Sequence, residues 1–389
     1  MVHIGVPVAF LAFASLVSGT LVDHRARTVT IPISKKVGTL TAAELIAKEK
    51  SRISSFGVLA TTGTQPIINE DVVYVTPALI GDQNFTLIVD TGSANILVGA
   101  QASNDYVPSS SSTDTGDSFS VTLGSGSFSG EEYCDKVTLG GLTVLCQWIG
   151  DISTDQGFSG VDGIFGFGPV DLTEGTVQGQ TTVPTFMDNL YSQGTIATEV
   201  LGVYFHPESG SDTDDTNGEL TLGGTDSTKF IGTLSCFPKS TTSPYSLYWG
   251  VTVASVTYGT TTLATSVQAI VDTGTTLIYI PTSAYNSFLS ATGGSTDPNT
   301  GLARFSTQPT GTFTIKLGSV SYPLTPAQYL IPQAQYSVFG LDSRFFYAWI
   351  NDGGSVASNI NFIIGQKFLE NYYSVYDTTN SRLCFATRA

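Results

Sequence analysis

Two stretches of this sequence decide its fold: IVDTGSANILVGA at residues 88–100 and AIVDTGTTL at residues 269–277. Each places Asp-Thr-Gly directly after a short apolar run that is typical of a buried strand. The two aspartates are Asp90 and Asp272. A single such tripeptide is an ordinary turn signal, because aspartate and glycine both favour turns. Two copies in matching contexts indicate a chain built from two related halves.

A second repeated element lies downstream of each copy. It reads IFG at residues 164–166 and IIG at residues 363–365. Short runs rich in Val, Ile, Thr, Phe and Tyr recur along the chain, for example at 135–149 and 313–324, and Gly, Ser, Asn and Pro separate them. This pattern predicts a mainly β protein.

Helical patterns are few and short. Apolar residues at i, i+4 spacing predict helices over residues 183–193 and 282–292. The polar runs SSSSTDTGDS at 109–118 and ESGSDTDDTNG at 208–218 predict solvated surface loops.

The N-terminus has the pattern of a leader peptide. The apolar run VPVAFLAFASLV at residues 6–17 precedes the small residues Ser18 and Gly19. This run is shorter than the roughly 20 apolar residues that a membrane-spanning helix needs. We interpret residues 1–19 as a signal peptide, and we therefore expect a secreted, extracellular protein with no membrane anchor.

Charge is distributed unevenly along the chain. Residues 20–68 carry seven Lys/Arg against three Asp/Glu, a net charge of +4, whereas residues 69–389 carry nine against 29, a net charge of −20. A basic N-terminal segment followed by an acidic remainder, here called the acidic body, indicates a removable propeptide over residues 20–68 that binds the rest of the chain by charge. The acidic body argues against nucleic acid as a partner, since phosphates bind cationic surfaces.

Two aspartates held close together can hydrolyse a peptide bond. The reaction needs a base to deprotonate water and an acid to protonate or polarise the carbonyl. Neighbouring carboxylates cannot both ionise, so the pair shares one proton and titrates as a unit. We therefore predict that Asp90 and Asp272 are the catalytic pair, with no cofactor.

The residues that follow the aspartates have predicted supporting roles. Glycine permits a tight turn where backbone approaches backbone, the next hydroxyl orients the carboxylate, and the threonines brace the loops. These supporting residues are Thr91, Gly92, Ser93, Thr273, Gly274 and Thr275.

All four cysteines lie in the acidic body, and none has the CxxC spacing of a zinc site, so no metal is expected. Cys134 and Cys146 flank a turn-like Gly-Gly pair at nearly equal distances, which favours pairing across a hairpin. Cys236 and Cys384 then pair by elimination. Four cysteines allow three connectivities, and free buried thiols are the alternative.

Over essentially its whole length the sequence resembles the pepsin family of aspartic endopeptidases, most of all the secreted members from wood-rotting basidiomycete fungi. Besides the two stretches quoted above, the matching segments are VTLGSGSFSGEEY, VDGIFGFGPVDLT, NGELTLGGTDSTKF and FIIGQKFLENYYSVYDTTNSRL. The resemblance implies a bilobal acid protease fold. Two β-rich lobes, 69–240 and 241–389, would share a central inter-lobe sheet, and each would give one aspartate to the cleft between them.

The resemblance also implies an activity. A monomeric enzyme of this family cleaves peptides and proteins at acid pH, is inhibited by pepstatin-type peptides and removes its own propeptide. We expect a preference for large apolar residues at the scissile bond.

Residues 124–130, GSGSFSG, match the family's flap, a β-hairpin that closes over substrate. The family usually has tyrosine at position 123 and tryptophan at position 97, which share a hydrogen bond. This chain has leucine at both positions, and we interpret the two leucines as a compensated apolar pair. The residues expected to contact substrate are Leu123, Gly124, Ser125, Leu97 and Ile164.

Two further positions complete the sequence-based predictions. Gln366 stands where many members of the family have aspartate, and we assign it no catalytic role. Asn84 begins the one N-glycosylation sequon of the chain, Asn-Phe-Thr, and an unmodified loop asparagine is the alternative.

Three other functions were weighed against the peptidase. A secreted binding protein that keeps the fold is compatible with the two leucines, but it would have no activity for a propeptide to suppress. A serine or cysteine hydrolase needs a histidine-based triad, and His206 is the one histidine after residue 68, without a Gly-x-Ser-x-Gly motif. A two-carboxylate glycosidase has no need of the repeated Asp-Thr-Gly loops.

Overall fold

The computed structural model describes residues 27–38, 40–56, 72–101, 103–123, 126–153, 160–207, 216–355 and 360–389. The predicted signal peptide and the segment 57–71, where the propeptide is expected to end, lie outside the described residues.

Strands dominate the described chain. In chain order they are β1 (Val29–Val37), β2 (Val72–Ile80), β3 (Gln83–Asp90), β4 (Ile96–Val98), β5 (Thr113–Leu123), β6 (Gly126–Leu139), β7 (Leu142–Ile152), β8 (Gly163–Gly166), β9 (Val200–Tyr204), β10 (Thr216–Leu222), β11 (Phe230–Pro238), β12 (Gly250–Tyr258), β13 (Thr261–Val271), β14 (Ile278–Ile280), β15 (Ser295–Thr296), β16 (Ala303–Phe305), β17 (Phe313–Leu317), β18 (Val320–Leu324), β19 (Phe346–Ala348), β20 (Ile350–Asp352), β21 (Ile363–Ile364), β22 (Tyr372–Asp377) and β23 (Arg382–Arg388).

Helices are short and lie between the strands. The α-helices are α1 (Ala42–Ser55), α2 (Phe186–Ser192), α3 (Thr282–Thr292), α4 (Pro326–Tyr329), α5 (Tyr336–Phe339) and α6 (Gln366–Leu369). The 3₁₀ turns are Val170–Thr173, Ser227–Lys229, Tyr245–Leu247 and Gln333–Gln335. Among the described residues, no helix is long and apolar enough to cross a membrane.

The two helices predicted from the sequence are confirmed as α2 and α3. The loop predicted over 109–118 is wrong in its second half, because β5 begins at Thr113 and pairs with β6. The register shifts between Asp114 and Ser118, so the polar part of this strand pairs irregularly with β6. Of the loop predicted over 208–218, residues 208–215 lie outside the described residues, and β10 begins at Thr216.

The largest sheet has the order β11-β23-β22-β9-β10-β1-β2-β3-β8-β4-β7-β6-β5. Its C-terminal strands β22 and β23 lie beside β9 and β11, so both halves of the chain contribute to one sheet. A second sheet has the order β18-β17-β12-β13-β21-β14-β20, and a third has the order β15-β16-β19. This arrangement confirms the predicted bilobal, mainly β fold class.

The predicted propeptide forms an integral part of this fold. Strand β1 lies between β10 and β2 in the middle of the large sheet. Its side chains alternate, with Ile31 and Ile33 buried and Thr30 and Pro32 exposed. Full burial of each isoleucine contributes about 1.5–3 kcal/mol, so β1 is bound by far more than charge.

Helix α1 lies against the C-terminal half of the molecule. It begins at Thr41, whose hydroxyl and backbone N–H exchange hydrogen bonds with Glu44 in a capping box. Its apolar face joins a cluster of buried residues: Leu45, Ile46, Ile53, Phe56, Leu277, Tyr279, Tyr336, Phe339 and Trp349. This helix was not among those predicted from the sequence.

Both disulfides join neighbouring strands. Cys134 of β6 pairs with Cys146 of β7, and Cys236 of β11 pairs with Cys384 of β23, its direct partner in the strand register. These are the two pairings that the sequence favoured, and no cysteine is free.

Candidate active site

The two aspartates occupy equivalent positions in the fold. Asp90 is the last residue of β3, and its parallel partner in β8 is Gly166. Asp272 directly follows β13, whose Val271 has Ile364 of β21 as its parallel partner. The repeated IFG and IIG elements are therefore the strands that flank the aspartate-bearing strands. This explains why each one recurs downstream of an Asp-Thr-Gly copy.

The two loops are tied to each other by reciprocal hydrogen bonds. The Thr91 N–H donates to Thr273 Oγ1 at 2.9 Å, and the Thr273 N–H donates to Thr91 Oγ1 at 3.0 Å. Each threonine hydroxyl then donates to a carbonyl of the opposite strand, Val271 O at 3.2 Å and Val89 O at 2.9 Å. All of these groups are buried, so the bonds fix the two aspartates in a defined relation.

Each carboxylate accepts hydrogen bonds from its own loop. Asp90 accepts from the Gly92 N–H at 2.9 Å and from the Ser93 hydroxyl at 2.7 Å. Asp272 accepts in the same way from the Gly274 N–H at 2.9 Å and from the Thr275 hydroxyl at 2.5 Å. The structure thus brings all six predicted supporting residues together around the two aspartates.

Glycine is required where the loops meet. A Cβ atom on Gly92 would lie 2.7 Å from Asp272 Oδ1, and one on Gly274 would lie closer still to Asp90 Oδ1. Each carboxylate therefore contacts the glycine of the opposite loop, and any side chain there would displace it.

Arg52 of helix α1 binds both aspartates at once. Its Nη2 atom lies 2.6 Å from Asp90 Oδ1 and 3.1 Å from Asp272 Oδ1, and its Nε atom lies 3.1 Å from Asp272 Oδ2. All three side chains are buried. The guanidinium therefore fills the space in which a water molecule and a peptide carbonyl would have to lie between the carboxylates.

The two carboxyl groups differ in their pKa. For Asp90, burial raises the pKa, but Arg52 and the hydrogen bonds from Ser93 and Gly92 outweigh burial and lower it. For Asp272, burial together with the negative charge of Asp90 outweighs Arg52, and the pKa is raised. With Arg52 bound between them, the two neighbouring carboxyls therefore have pKa values shifted in opposite directions, as expected for two carboxyls that interact.

The other residues predicted to contact substrate lie in different settings. Leu97 and Ile164 are buried partners in the β4–β8 register and belong to one apolar cluster with Phe119 and Val121. Leu123 ends β5 at the tip of the β5–β6 hairpin, opposite Gly126. Gly124 and Ser125 lie outside the described residues. The predicted contact between the two leucines stays a prediction.

Two further sequence predictions can be located in the structure. The Gln366 side chain is buried and donates from Nε2 to the carbonyl of Thr273 at 2.9 Å, within the second loop. Asn84 is exposed on β3, which leaves glycosylation sterically open.

Arg52 of helix α1 is a site residue that no sequence pattern predicted. The net charge of +4 on residues 20–68 indicated docking on an acidic body. It did not indicate which of the seven basic residues would reach the aspartates, because that depends on the helix register and on where β1 anchors the chain.

Comparison with known proteins agrees with this geometry. The model of the eukaryotic aspartyl protease family matches residues 73–388. The chain is 46% identical to polyporopepsin of Irpex lacteus over 336 residues, which cover 84% of this chain and 97% of that protein. It is 31% identical to pepsin A of Sus scrofa over 350 residues, 84% of each chain.

A solved structure has the same fold. The crystal structure of the aspartic proteinase from Irpex lacteus superposes with a TM-score of 0.79 at 39% identity and covers 93% of this chain and 98% of its own. Together with the paired Asp-Thr-Gly loops, these similarities identify the chain as a member of the eukaryotic aspartyl protease family and as a pepsin-like aspartic endopeptidase.

Proposed function

We propose that Asp90 and Asp272 hydrolyse peptide bonds at acid pH as one general acid–base pair. The ionised carboxylate takes a proton from water, whose oxygen adds to the peptide carbonyl carbon, while the protonated carboxyl gives its proton to the carbonyl oxygen. The carboxyl that took the water proton then gives it to the leaving nitrogen, the C–N bond breaks, and a hydroxyl proton of the adduct returns to the other carboxylate, so that a carboxylic acid and an amine are released. The observation that carries this proposal is the pair of interlocked loops that aim both carboxylates at one cation.

Before residues 20–68 are removed, the protein is in this proposal an inactive zymogen. Arg52 occupies the catalytic position between the aspartates, and Lys35 of β1 forms a second buried ion pair with Glu370. Acid weakens the Arg52 contact because protonated carboxyls no longer attract the guanidinium. The docked segment is then released and cleaved, and the catalytic pair becomes free to bind water and substrate.

The remaining assignments extend the proposal to the whole chain. Residues 1–19 direct secretion, and the mature enzyme is an extracellular monomer with lobes at 69–240 and 241–389. It cleaves proteins beside large apolar residues and binds pepstatin-type peptides. The apolar surface that now contacts Leu45, Ile46 and Ile53 supports this preference, because it would be uncovered when helix α1 leaves.

Digestion of an unfolded protein tests the proposal. The purified chain is incubated at acid pH with a denatured substrate protein, with and without pepstatin. We expect peptide products whose formation pepstatin abolishes. Equal digestion in both arms would contradict the aspartate mechanism, and no digestion after complete processing would favour a secreted binding protein.

A further inference from the structure

Trp249 connects the surroundings of the two catalytic loops. It directly precedes β12 in the second sheet, and its side chain is 3% exposed. The indole Nε1–H donates to the carbonyl of Phe167 at 3.0 Å, and the backbone carbonyl of Trp249 accepts from the Val271 N–H at 2.9 Å. Phe167 belongs to the N-terminal half of the chain and Val271 to the C-terminal half. One buried residue is therefore bonded to both halves.

The first loop, residues 90–93, is held at both of its ends by Phe167 and Gly168. The Phe167 N–H donates to the carbonyl of Asp90 at 2.7 Å, and the Gly168 N–H donates to the carbonyl of Ser93 at 2.7 Å. A Cβ atom on Gly168 would lie 2.7 Å from the Ser93 oxygen, so this close contact requires glycine. The position of this two-residue segment therefore determines the position of the first catalytic loop.

A single peptide group joins Trp249 to this loop. The carbonyl of Phe167 and the N–H of Gly168 belong to one planar peptide unit. Its oxygen accepts from the indole, while its N–H donates to Ser93. Hydrogen bonds in such a chain polarise and strengthen one another. Loss of the indole N–H would therefore weaken the bond between Gly168 and Ser93 as well.

The other end of this path reaches the second aspartate. Val271 is the last residue of β13 and directly precedes Asp272. The path runs from Asp90 through Phe167 and Trp249 to Val271, over hydrogen bonds of 2.7, 3.0 and 2.9 Å. It links the two aspartate-bearing strands in addition to the reciprocal bonds between the loop threonines.

Packing around Trp249 is incomplete. The indole contacts the ring of Tyr376 edge-on, with ring centroids 5.4 Å apart. Together with Phe167, Met187 and Leu201, these two residues border a cavity of about 160 Å³. Protein interiors are otherwise close-packed, so a side chain beside a cavity has room to tilt. The hydrogen bond to Phe167 therefore contributes to fixing the indole where packing alone does not.

We propose that Trp249 is a positioning residue for peptide hydrolysis, because its indole N–H holds the first catalytic loop at a set distance from the second. This inference rests on the proposed function, since it requires that the two aspartates act as a pair. The repulsion between two carboxyls depends on their separation. The spacing of the loops therefore also determines how far apart the two apparent pKa values of the pair lie.

The Trp249→Phe variant tests this inference, because it keeps a buried ring but removes the N–H donor. A misplacement of about 1 Å lowers a rate by about 10²-fold, and we expect a smaller displacement here. In the processed enzyme kcat should fall by about tenfold, whereas KM should change by less than about twofold, because Trp249 is buried and acts through the loops. The two limbs of the pH profile of kcat/KM should also move closer together, because carboxyls that are held less closely repel each other less.

Phe288→Leu is the matched control for lost packing. Phe288 lies on α3 and is fully buried. The rings that it contacts are those of Tyr258, Phe305, Phe313 and Tyr329. This variant should lower the melting temperature and leave kcat, KM and the pH profile unchanged. If Trp249→Phe does not fold, Trp249→Tyr provides the same comparison with a larger ring.

The outcomes separate this inference from the proposed function. Wild-type kcat and an unchanged pH profile in Trp249→Phe overturn the positioning role and leave the peptidase intact. So does a loss confined to KM, or a loss of kcat that Phe288→Leu shares. Failure of both Trp249 variants to fold would show a packing role only and also overturns the inference. An inactive processed wild-type enzyme overturns the proposed function and the positioning role with it.

Discussion

The two Asp-Thr-Gly loops have the same hydrogen bonds but different electrostatics. Each aspartate accepts from a glycine N–H and a hydroxyl of its own loop. Nevertheless the pKa of Asp90 is lowered and that of Asp272 is raised. This difference in pKa comes from outside each loop's own hydrogen bonds: from burial, from Arg52 and from the mutual repulsion of the two carboxyls. The asymmetry in pKa therefore belongs to the pair and not to either loop alone.

The surroundings of the two loops differ more than the loops themselves. The first loop borders an apolar cluster that contains Leu97 and Phe119. The second loop borders the buried carboxylate of Glu49 and the buried amide of Gln366. The geometry of the Asp-Thr-Gly loops is thus shared between the halves, whereas the side chains that surround each loop are specific to its half.

The largest expected effect comes from removing either carboxylate. Asp90→Asn or Asp272→Asn should lower kcat/KM of the processed enzyme by about 10²- to 10⁴-fold, because each role in general acid–base catalysis has this magnitude. Rates on one peptide at acid pH provide the measurement. Asp342→Asn, at an ion pair with the exposed Arg344, is the control and should leave the rate unchanged. If either variant kept the wild-type kcat/KM, the two loops would not be equivalent in catalysis.

Loss of Arg52 should destabilise the zymogen. Arg52→Gln leaves two buried carboxyls without their cation, which we expect to lower the free energy of unfolding at neutral pH by about 3 kcal/mol. The matched change Arg344→Gln removes an ion pair whose arginine side chain is 80% exposed and should alter the free energy of unfolding far less. Urea unfolding measures both. Equal effects would show that Arg52 does not link the two loops.

The zymogen should process itself as the pH falls. The pKa of Asp90 is lowered from 3.8 while Arg52 is bound, so this pair stabilises docking fully above pH 3.8 and the stabilisation is lost as the pH falls through the lowered value. The raised pKa of Asp272 means that this carboxyl gains its proton before Asp90 does. We expect slow processing at neutral pH, rapid processing once the pH falls below 3.8, and a new N-terminus between Gly57 and Glu70. Equal rates at both pH values, with no other protease present, would contradict this.

The smallest effect concerns the apolar surroundings of the first loop. Leu97 is fully buried, and a Cβ atom on Gly150 would already lie 2.8 Å from its Cδ2 atom. Leu97→Trp should therefore overpack the cluster and lower the stability by about 1–3 kcal/mol, seen as a lower melting temperature. Leu145→Trp, at a position 73% exposed, is the control and should leave the melting temperature nearly unchanged.

If Leu97 and Leu123 act as a pair, adding Leu123→Tyr to Leu97→Trp should change kcat/KM more than the product of the two single effects.

Some features of the fold and the site could be predicted from the sequence because they depend on local pattern. The duplicated Asp-Thr-Gly after apolar strands predicted the aspartates at 90 and 272, and the hairpin spacing favoured the pairing of Cys134 with Cys146. Helices α2 and α3 followed from apolar spacing. Each of these signals is contained within about a dozen residues, where period and turn chemistry are informative, and the two Asp-Thr-Gly copies are connected by repetition of the same local pattern.

Other features depended on contacts between distant segments. Arg52 reaches Asp272, 220 residues away, and Glu49 reaches Tyr279, 230 residues away. No spacing rule connects such residues. Similarly, β5 begins inside a polar run because pairing with β6 outweighs the loop-like composition of that run.

The claim that the two loops form one catalytic unit is tested most directly by combining the two substitutions. kcat/KM is measured for Asp90→Asn, Asp272→Asn and the double variant on one peptide at acid pH. The double variant should lose no more than either single variant, within about threefold, because removal of one carboxylate already abolishes the shared-proton mechanism. Losses that multiply, or a single variant that keeps more than about a tenth of the wild-type value, would contradict the account.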